Sequence, residues 1–161
     1  MESSASPRDT AWAMSQEGME RIRLAIEAFN RRDVDAMLRW NHPDVVYQTA
    51  IASMEGLGGV YHGHEGVRQW SRDLDEQMDD LHGELDELYD LGGGRYLGAG
   101  RVRGRGKGSG AEFDVPMAWV YITEDDELLL RYEAYFERQM ALDSLGLDRW
   151  PEERAGGGQA P

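Results

Sequence analysis

Arg101 and Arg103 stand two residues apart in a stretch of strand-forming character, so an extended backbone sends both guanidinium groups to one face. A pair of planar donor forks, set beside the hydroxyls of Tyr47, Thr49 and Tyr132, has the chemistry to hold a carboxylate, a phosphate or an enolate. The competing reading is that the two arginines continue the basic series Arg105 and Lys107 and pair with surface carboxylates, which this chain has in excess. Trp40, Trp70, Tyr132 and Phe136 are candidates for an aromatic clamp on a ligand, or for ordinary core. His62-Gly63-His64-Glu65 carries residue types that ligate metals, but both imidazoles aim one way only if the segment is extended. With Gly63 ahead of a helix, a cap by His64 or its neighbour is the expected role, and no metal site is assigned. The run Gly104–Gly110 lies between two strand candidates rather than before a helix, so it reads as a hairpin and not as a phosphate loop. The acids Asp73, Asp75, Glu76, Asp79 and Asp80 spread around a helical stretch and read as a solvated face.

These side chains need elements to position them. Met19, Ile22, Ile26 and Phe29 recur at helical spacing, and Asp33 is placed to cap a short second helix carrying Met37 and Leu38. Val45–Thr49 reads as a strand, 55–59 as a Gly-rich loop, and Val67, Trp70 and Leu74 as one face of a third helix. Four strands follow, roughly 81–89, 95–105, 111–123 and 128–137, separated by Gly92-Gly93-Gly94, the run Gly104–Gly110, and Glu124-Asp125-Asp126. Helices first and consecutive strands afterwards predict an α+β domain, with helices on one face of a curved antiparallel sheet. The even positions Leu128, Leu130, Tyr132, Ala134 and Phe136 form the inward set of the last strand, and Glu133 and Glu137 point outward. The strand before it is apolar on both faces, with Ala118, Val120 and Ile122 on one and Met117, Trp119 and Tyr121 on the other. Both faces must then be covered, one by the helices and the other by a second subunit. The expectation is a homodimer through the face carrying Met117, Trp119 and Tyr121.

The chain has 161 residues, with 17 Lys+Arg against 31 Asp+Glu for a net charge of −14. That balance disfavours nucleic-acid and anionic-membrane partners, since phosphates reward the opposite sign. There is no Cys, which excludes disulfides and thiolate chemistry. No apolar run is long enough to span a bilayer as a helix, and no secretory leader pattern opens the chain, so the expectation is a soluble, cytoplasmic protein. One domain is expected over 15–148, between a disordered N-terminal tail at 1–14 and a disordered C-terminal tail at 149–161.

The segments Ala28–Asp33, His42–Tyr47, Tyr61–Arg68, Arg101–Gly110 and Leu130–Tyr135 together resemble the SnoaL-like branch of the NTF2-like superfamily over roughly 19–147. The resemblance implies a cone of curved antiparallel sheet wrapped around N-terminal helices with a central apolar pocket, and dimerisation through the sheet. Its relatives include ketosteroid isomerases, limonene-epoxide hydrolases and polyketide cyclases, along with modules that only bind, so the fold does not name the reaction.

The machinery of an isomerase of that kind, a worked example of carboxylate tuning, falls near Thr49, Ala25 and Ala118, none of which has the chemistry. The epoxide-hydrolase machinery matches at Tyr47, Thr49 and Arg101, while Arg103 and Ala134 stand where its two acids belong. The resemblance implies Tyr47 and Arg101 as catalytic candidates, with Thr49, Trp70, Arg103, Ala118, Tyr132 and Phe136 around a small-molecule ligand. Three readings follow. One is a lyase, isomerase or cyclase acting on a carbonyl- or carboxylate-bearing substrate without the usual base. Another is a non-catalytic ligand-binding or dimerisation module, and the third an epoxide-hydrolase-like enzyme with altered residues. No cofactor is expected.

Overall fold

Ile22, Ile26 and Phe29 return every three to four residues, and that stripe lies against the core along helix α1 (Pro7–Asn30). The structure, a computed structural model, describes residues 7–49 and 59–151, with side chains from Gln16 onward. Asp33 caps α2 (Val34–Leu38) as expected, its carboxylate accepting the Ala36 N–H at 3.1 Å, a contact worth about 1 kcal/mol. Strands β1 (Asn41–Gln48) and β2 (Val60–His62) lead into α3 (Gly63–Gln77), which buries Val67, Trp70 and Leu74 along one stripe. His62 sits at the N-cap of α3 without a side-chain capping bond, and the His64 ring instead meets the Asn41 carbonyl at 2.9 Å, so the expected imidazole cap is not made. The chain continues as β3 (Met78–Gly92), β4 (Arg95–Gly106), β5 (Glu112–Glu124), β6 (Leu128–Tyr135) and α4 (Arg138–Leu145).

The six strands form one curved, unclosed sheet in the order β2-β1-β6-β5-β4-β3, antiparallel except for the parallel pair β1 and β6. Left-handed backbone at Gly92, Gly93 and Gly94 turns β3 into β4, and Asp125 and Asp126, at φ 53° and 61°, turn β5 into β6. Helices α1, α2 and α3 share a core with one sheet face. On the other face α4 and Trp150 pack over Leu97, Ala99, Ala118 and Val120.

Helix α1 begins at Pro7 and Trp150 is only 4% exposed, each within a stretch read as a tail. The rest of both expected tails, 1–6 and 152–161, lies outside the described residues, as does 55–58 of the Gly-rich loop.

Strand register decides which side chains face the helices. Thr123 pairs with Leu129, but the next pair is Ile122 with Arg131, leaving Leu130 as an extra residue in a β-bulge. Beyond it Tyr121 stands opposite Tyr132 and Trp119 opposite Ala134. Tyr132 and Ala134 face inward as expected, and Met117, Trp119 and Tyr121 face inward with them, each 4% exposed or less. The expectation that these three form a subunit contact on the opposite face is therefore corrected: they are interior within a single chain. The second cover for β5 comes from the chain's own C-terminal end. Ala118 has the outer parity and belongs to that second core.

Candidate functional site

A cavity of about 50 Å³ lies between α1, α2, α3 and the inner sheet face. It has room for roughly four water molecules, since a water needs ~10–15 Å³ of such space, and is about a third of the ~150 Å³ that holds a benzene ring. Of its fourteen lining residues, seven are aromatic: Phe29 from α1, Trp40 and Tyr47 around β1, Trp70 from α3, Trp119 and Tyr121 from β5, and Tyr132 from β6. The rings form a connected cage. Tyr47 and Tyr132 are 4.8 Å apart between centroids, Tyr47 and Trp70 5.1 Å, Tyr121 and Tyr132 5.6 Å, and Phe29 and Trp70 5.7 Å. These spacings fall in the range of favourable ring pairs, which also contribute to stability.

The polar atoms of the cage are neutral. Asn41 Nδ2 donates to the Tyr47 hydroxyl at 3.0 Å, so the Tyr47 O–H keeps its own proton to donate. Burial pushes the Tyr47 phenol far above its ordinary pKa against the opposing bond from Asn41. Burial does the same to Tyr121, assisted by the neighbouring Tyr132 and Tyr47 phenols, and to Tyr132, which also feels Tyr47 and accepts a bond from Trp119. All three stay protonated at physiological pH. The buried indole N–H groups of Trp40 and Trp70 and the Asn41 Oδ1 have no hydrogen-bond partner among the described residues. Among the described residues no Asp, Glu, His, Lys or Arg lines the cavity.

The residues singled out from the sequence separate into groups. Tyr47, Trp70 and Tyr132 line the cage. Thr49, whose buried Oγ1 is also unpartnered, and Phe136 border a different depression beside Met140 and Val60. Arg101 and Arg103 do not share the inner face. Their neighbour Val102 lines the cage, so alternation turns both guanidiniums outward, where Arg101 meets Asp114 at 2.7 Å and Arg103 meets Glu84 at 3.3 Å. Arg105 and Lys107 continue the row, paired with Asp80 and Asp79. The alternative of arginines neutralised by surplus surface acids describes this face. Glu133 is outward as expected yet only 5% exposed, held by Arg131, Ser144 and Tyr135. Among the described residues no group of His, Asp and Glu is placed to hold a metal ion, and no helix is long and apolar enough to cross a membrane.

Sequence reasoning missed Asn41, Trp119 and Tyr121 as cage residues. The odd positions of β5 do carry a visible signal, since Phe113, Trp119 and Tyr121 make that face as aromatic as any in the chain. Asn41 carries none, because a single Asn beside a Trp is as common in turns as in sites.

A family model for the SnoaL-like domain matches residues 22–131. Among solved structures, the chain is similar to an NTF2-like protein of unknown function from Burkholderia pseudomallei, at 26% identity and a TM-score of 0.67 over 79% of this chain and 95% of that one. It shares the fold of TerC co-crystallised with polyporic acid, at 22% identity and a TM-score of 0.66 over 80% of this chain and 97% of that one. It also shares the fold of a protein from Catenulispora acidiphila with a ketosteroid isomerase-like fold, in complex with trimethylamine, at 21% identity and a TM-score of 0.63 over 80% and 94%. Curated proteins gave no match.

Proposed function

The chain belongs to the SnoaL-like domain family of the NTF2-like superfamily, and we propose that it is a small-molecule-binding member of that family. Its cage takes a small organic group of a few heavy atoms that carries a carbonyl or hydroxyl, and holds it without acid–base turnover. One observation carries this reading: seven aromatic rings and, among the described residues, no carboxylate, imidazole, amine or guanidinium line the cavity. Proton abstraction or water activation calls for a base whose pKa lies near the working pH, and phenols held neutral by burial offer hydrogen bonds but are not bases. The donors at Tyr47, Trp40 and Trp70 and the acceptor at Asn41 Oδ1 match a carbonyl or hydroxyl group. Such a partner offsets about 1–3 kcal/mol for each buried group it satisfies.

A lyase, isomerase or cyclase using Arg101 to stabilise charge would need that guanidinium in the cage, and it is paired on the outer face. The same absence of acids weighs against an epoxide-hydrolase-like reaction at Tyr47 and Thr49. Two structural relatives were crystallised with small organic molecules, polyporic acid and trimethylamine, which supports a small-molecule reading at the level of the fold. The expected homodimer stays in this proposal without Met117, Trp119 and Tyr121 as its contact, since they are interior in the single chain. Light scattering on the purified chain tests it, and a monomeric mass at micromolar concentration removes it.

The test of the cage is titration with acetamide and 2-propanol, followed by tryptophan fluorescence and by chemical analysis of the recovered ligand. Saturable quenching is expected, weakened about five- to tenfold by Trp70→Leu through loss of one ring contact worth ~1 kcal/mol. Unsaturable quenching, or equal affinity in Trp70→Leu, overturns the cage as the site. Conversion of the ligand overturns the non-catalytic half of the reading.

A further inference from the structure

The cage is walled mostly by buried residues. Among its lining residues Ala25, Ile26, Phe29 and Tyr132 are the half-buried ones, and the first three lie together near the C-terminal end of α1. Tyr132 belongs to β6, which has β1 on one side and β5 on the other, so the way from the cage to solvent runs past α1. There the Phe29 ring spans the space between α3 and β3. It stacks on Trp70 of α3 at 5.7 Å between centroids, with 27° between the planes. On the β3 side it lies over Gly83, where a side-chain carbon would come within 3.9 Å of the ring.

Two sets of contacts fasten that end of α1, one to each neighbour. The Asn30 carboxamide donates from Nδ2 to the Gly83 carbonyl at 2.9 Å and accepts the Gly83 N–H on Oδ1 at 2.8 Å. Because β3 is the last strand of the sheet, Gly83 has no strand on that side, and Asn30 supplies the pair of bonds that a further strand would make. Two residues on, Arg32 donates from Nε and Nη2 to one carboxylate oxygen of Asp75 on α3, at 2.9 and 2.6 Å. The same guanidinium lies 4.9 Å from the centre of the Phe29 ring, within cation–π range. Arg32 holds φ at 60°, a left-handed backbone uncommon for a residue other than Gly, and its side chain folds back to the Phe29 carbonyl at 3.3 Å.

We propose that Phe29 is the gate of the cage, and that the Asn30–Gly83 bonds and the Arg32–Asp75 pair set how often it opens. The proposal concerns access to the cavity read above as the ligand site. Swinging Phe29 outward uncovers Trp70, whose buried indole N–H has no hydrogen-bond partner among the described residues. With no bond to break, that proton is kept from water by the closed wall alone, so its exchange reports the opening equilibrium. The Asp75 side chain is 55% exposed, which leaves the ion pair open to screening, and added salt loosens the gate.

The test is hydrogen exchange of the tryptophan indole N–H groups, followed by NMR on the isotope-labelled full chain with no ligand present. Asp75→Asn is expected to speed Trp70 exchange about two- to fivefold, the range of one exposed ion pair. Asn30→Ala is expected to speed it about tenfold, through the two bonds lost at Gly83. In wild type about 300 mM NaCl is expected to reproduce most of the Asp75→Asn effect, and to add little in that variant. The Trp150 indole, bonded to Glu87 over the other sheet face, is the control and stays unchanged. Equal acceleration of Trp70 and Trp150 overturns the gate, because it marks general destabilisation. Trp70 exchange that neither variant alters overturns it as well. So does wild-type Trp70 exchange with the urea dependence of global unfolding, because a ring swing exposes far less surface. The readout needs no ligand, so each of these failures leaves the cage reading to its own titration, and a cage that binds nothing leaves the gate standing.

Discussion

Tyr47→Phe removes one hydroxyl from the cage and separates a hydrogen-bonding role from a packing role. Asn41 and Tyr47 are each 3% exposed, and the Asn41 Nδ2 to Tyr47 Oη bond of 3.0 Å is the carboxamide's partner inside the core, since its Oδ1 has none among the described residues. Deleting the hydroxyl leaves the whole carboxamide side chain unpaired in an apolar interior. The expected cost is ~1–3 kcal/mol, the desolvation penalty of an orphaned buried group. At ~2–4 °C per kcal/mol for a chain of this size, Tm falls by about 2–12 °C. In an Asn41→Leu background there is no amide to orphan, so the same Tyr47→Phe change is expected to cost under ~0.5 kcal/mol. The four proteins of this cycle, unfolded in urea with matched slopes, give the coupling directly, expected at about 1 kcal/mol or more. Tyr47→Phe costing the same in both backgrounds would refute the reasoning, because the loss would then belong to packing and not to the Asn41 bond.

Glu133 makes stability sensitive to acid. Burial works to raise its pKa, but hydrogen bonds from Ser144, Arg131 and Tyr135 and the charge of Arg131 outweigh it and hold the carboxyl below its ordinary value. Its contribution is therefore full above the unfolded value of ~4.3 and is lost as pH falls through the lower folded value. The stability gap between wild type and Glu133→Gln should be constant from pH 6 to 8 and shrink below about pH 4.3, and a gap that widens on acidification would contradict the assignment. Trp150→Ala empties a site that covers the outer sheet face and takes a 3.0 Å donor from Glu87. A loss of about 3–5 kcal/mol is expected in urea unfolding, and a loss under ~1 kcal/mol would mean that the C-terminal end does not hold the sheet. Arg101→Ala, whose side chain is 46% exposed, is expected to cost under ~1 kcal/mol and to leave ligand affinity unchanged. A larger effect on ligand binding would return Arg101 to the site.

Helix stripes were legible without the fold, because Ile22, Ile26 and Phe29 or Val67, Trp70 and Leu74 repeat at a period that only a helix satisfies. The Asp33 cap and the Gly92-Gly93-Gly94 turn were legible for the same local reason, each depending on a few adjacent residues. The inward placement of Tyr47, Trp70 and Tyr132 was legible too, since large aromatics with inward parity in a half-open cone line its interior. Parity across the last hairpin was not legible. One unpaired residue, Leu130, shifts the pairing so that odd positions of β5 face the same way as Tyr132, and no property of Leu130 in isolation marks it as a bulge.

That single shift moved Met117, Trp119 and Tyr121 from an expected subunit contact into the core. On β4, alternation places Arg101 and Arg103 opposite to Val102, and therefore outside. Residue types and local spacing determined the elements and the absence of cysteine chemistry. Tertiary structure alone decided which face each strand turns inward and that α4 and Trp150 cover the outer face of β5. The reason is physical. A helix or a turn is selected by interactions a few residues apart, whereas facing and convergence depend on register between segments tens of residues distant, where one inserted residue reverses every side chain beyond it.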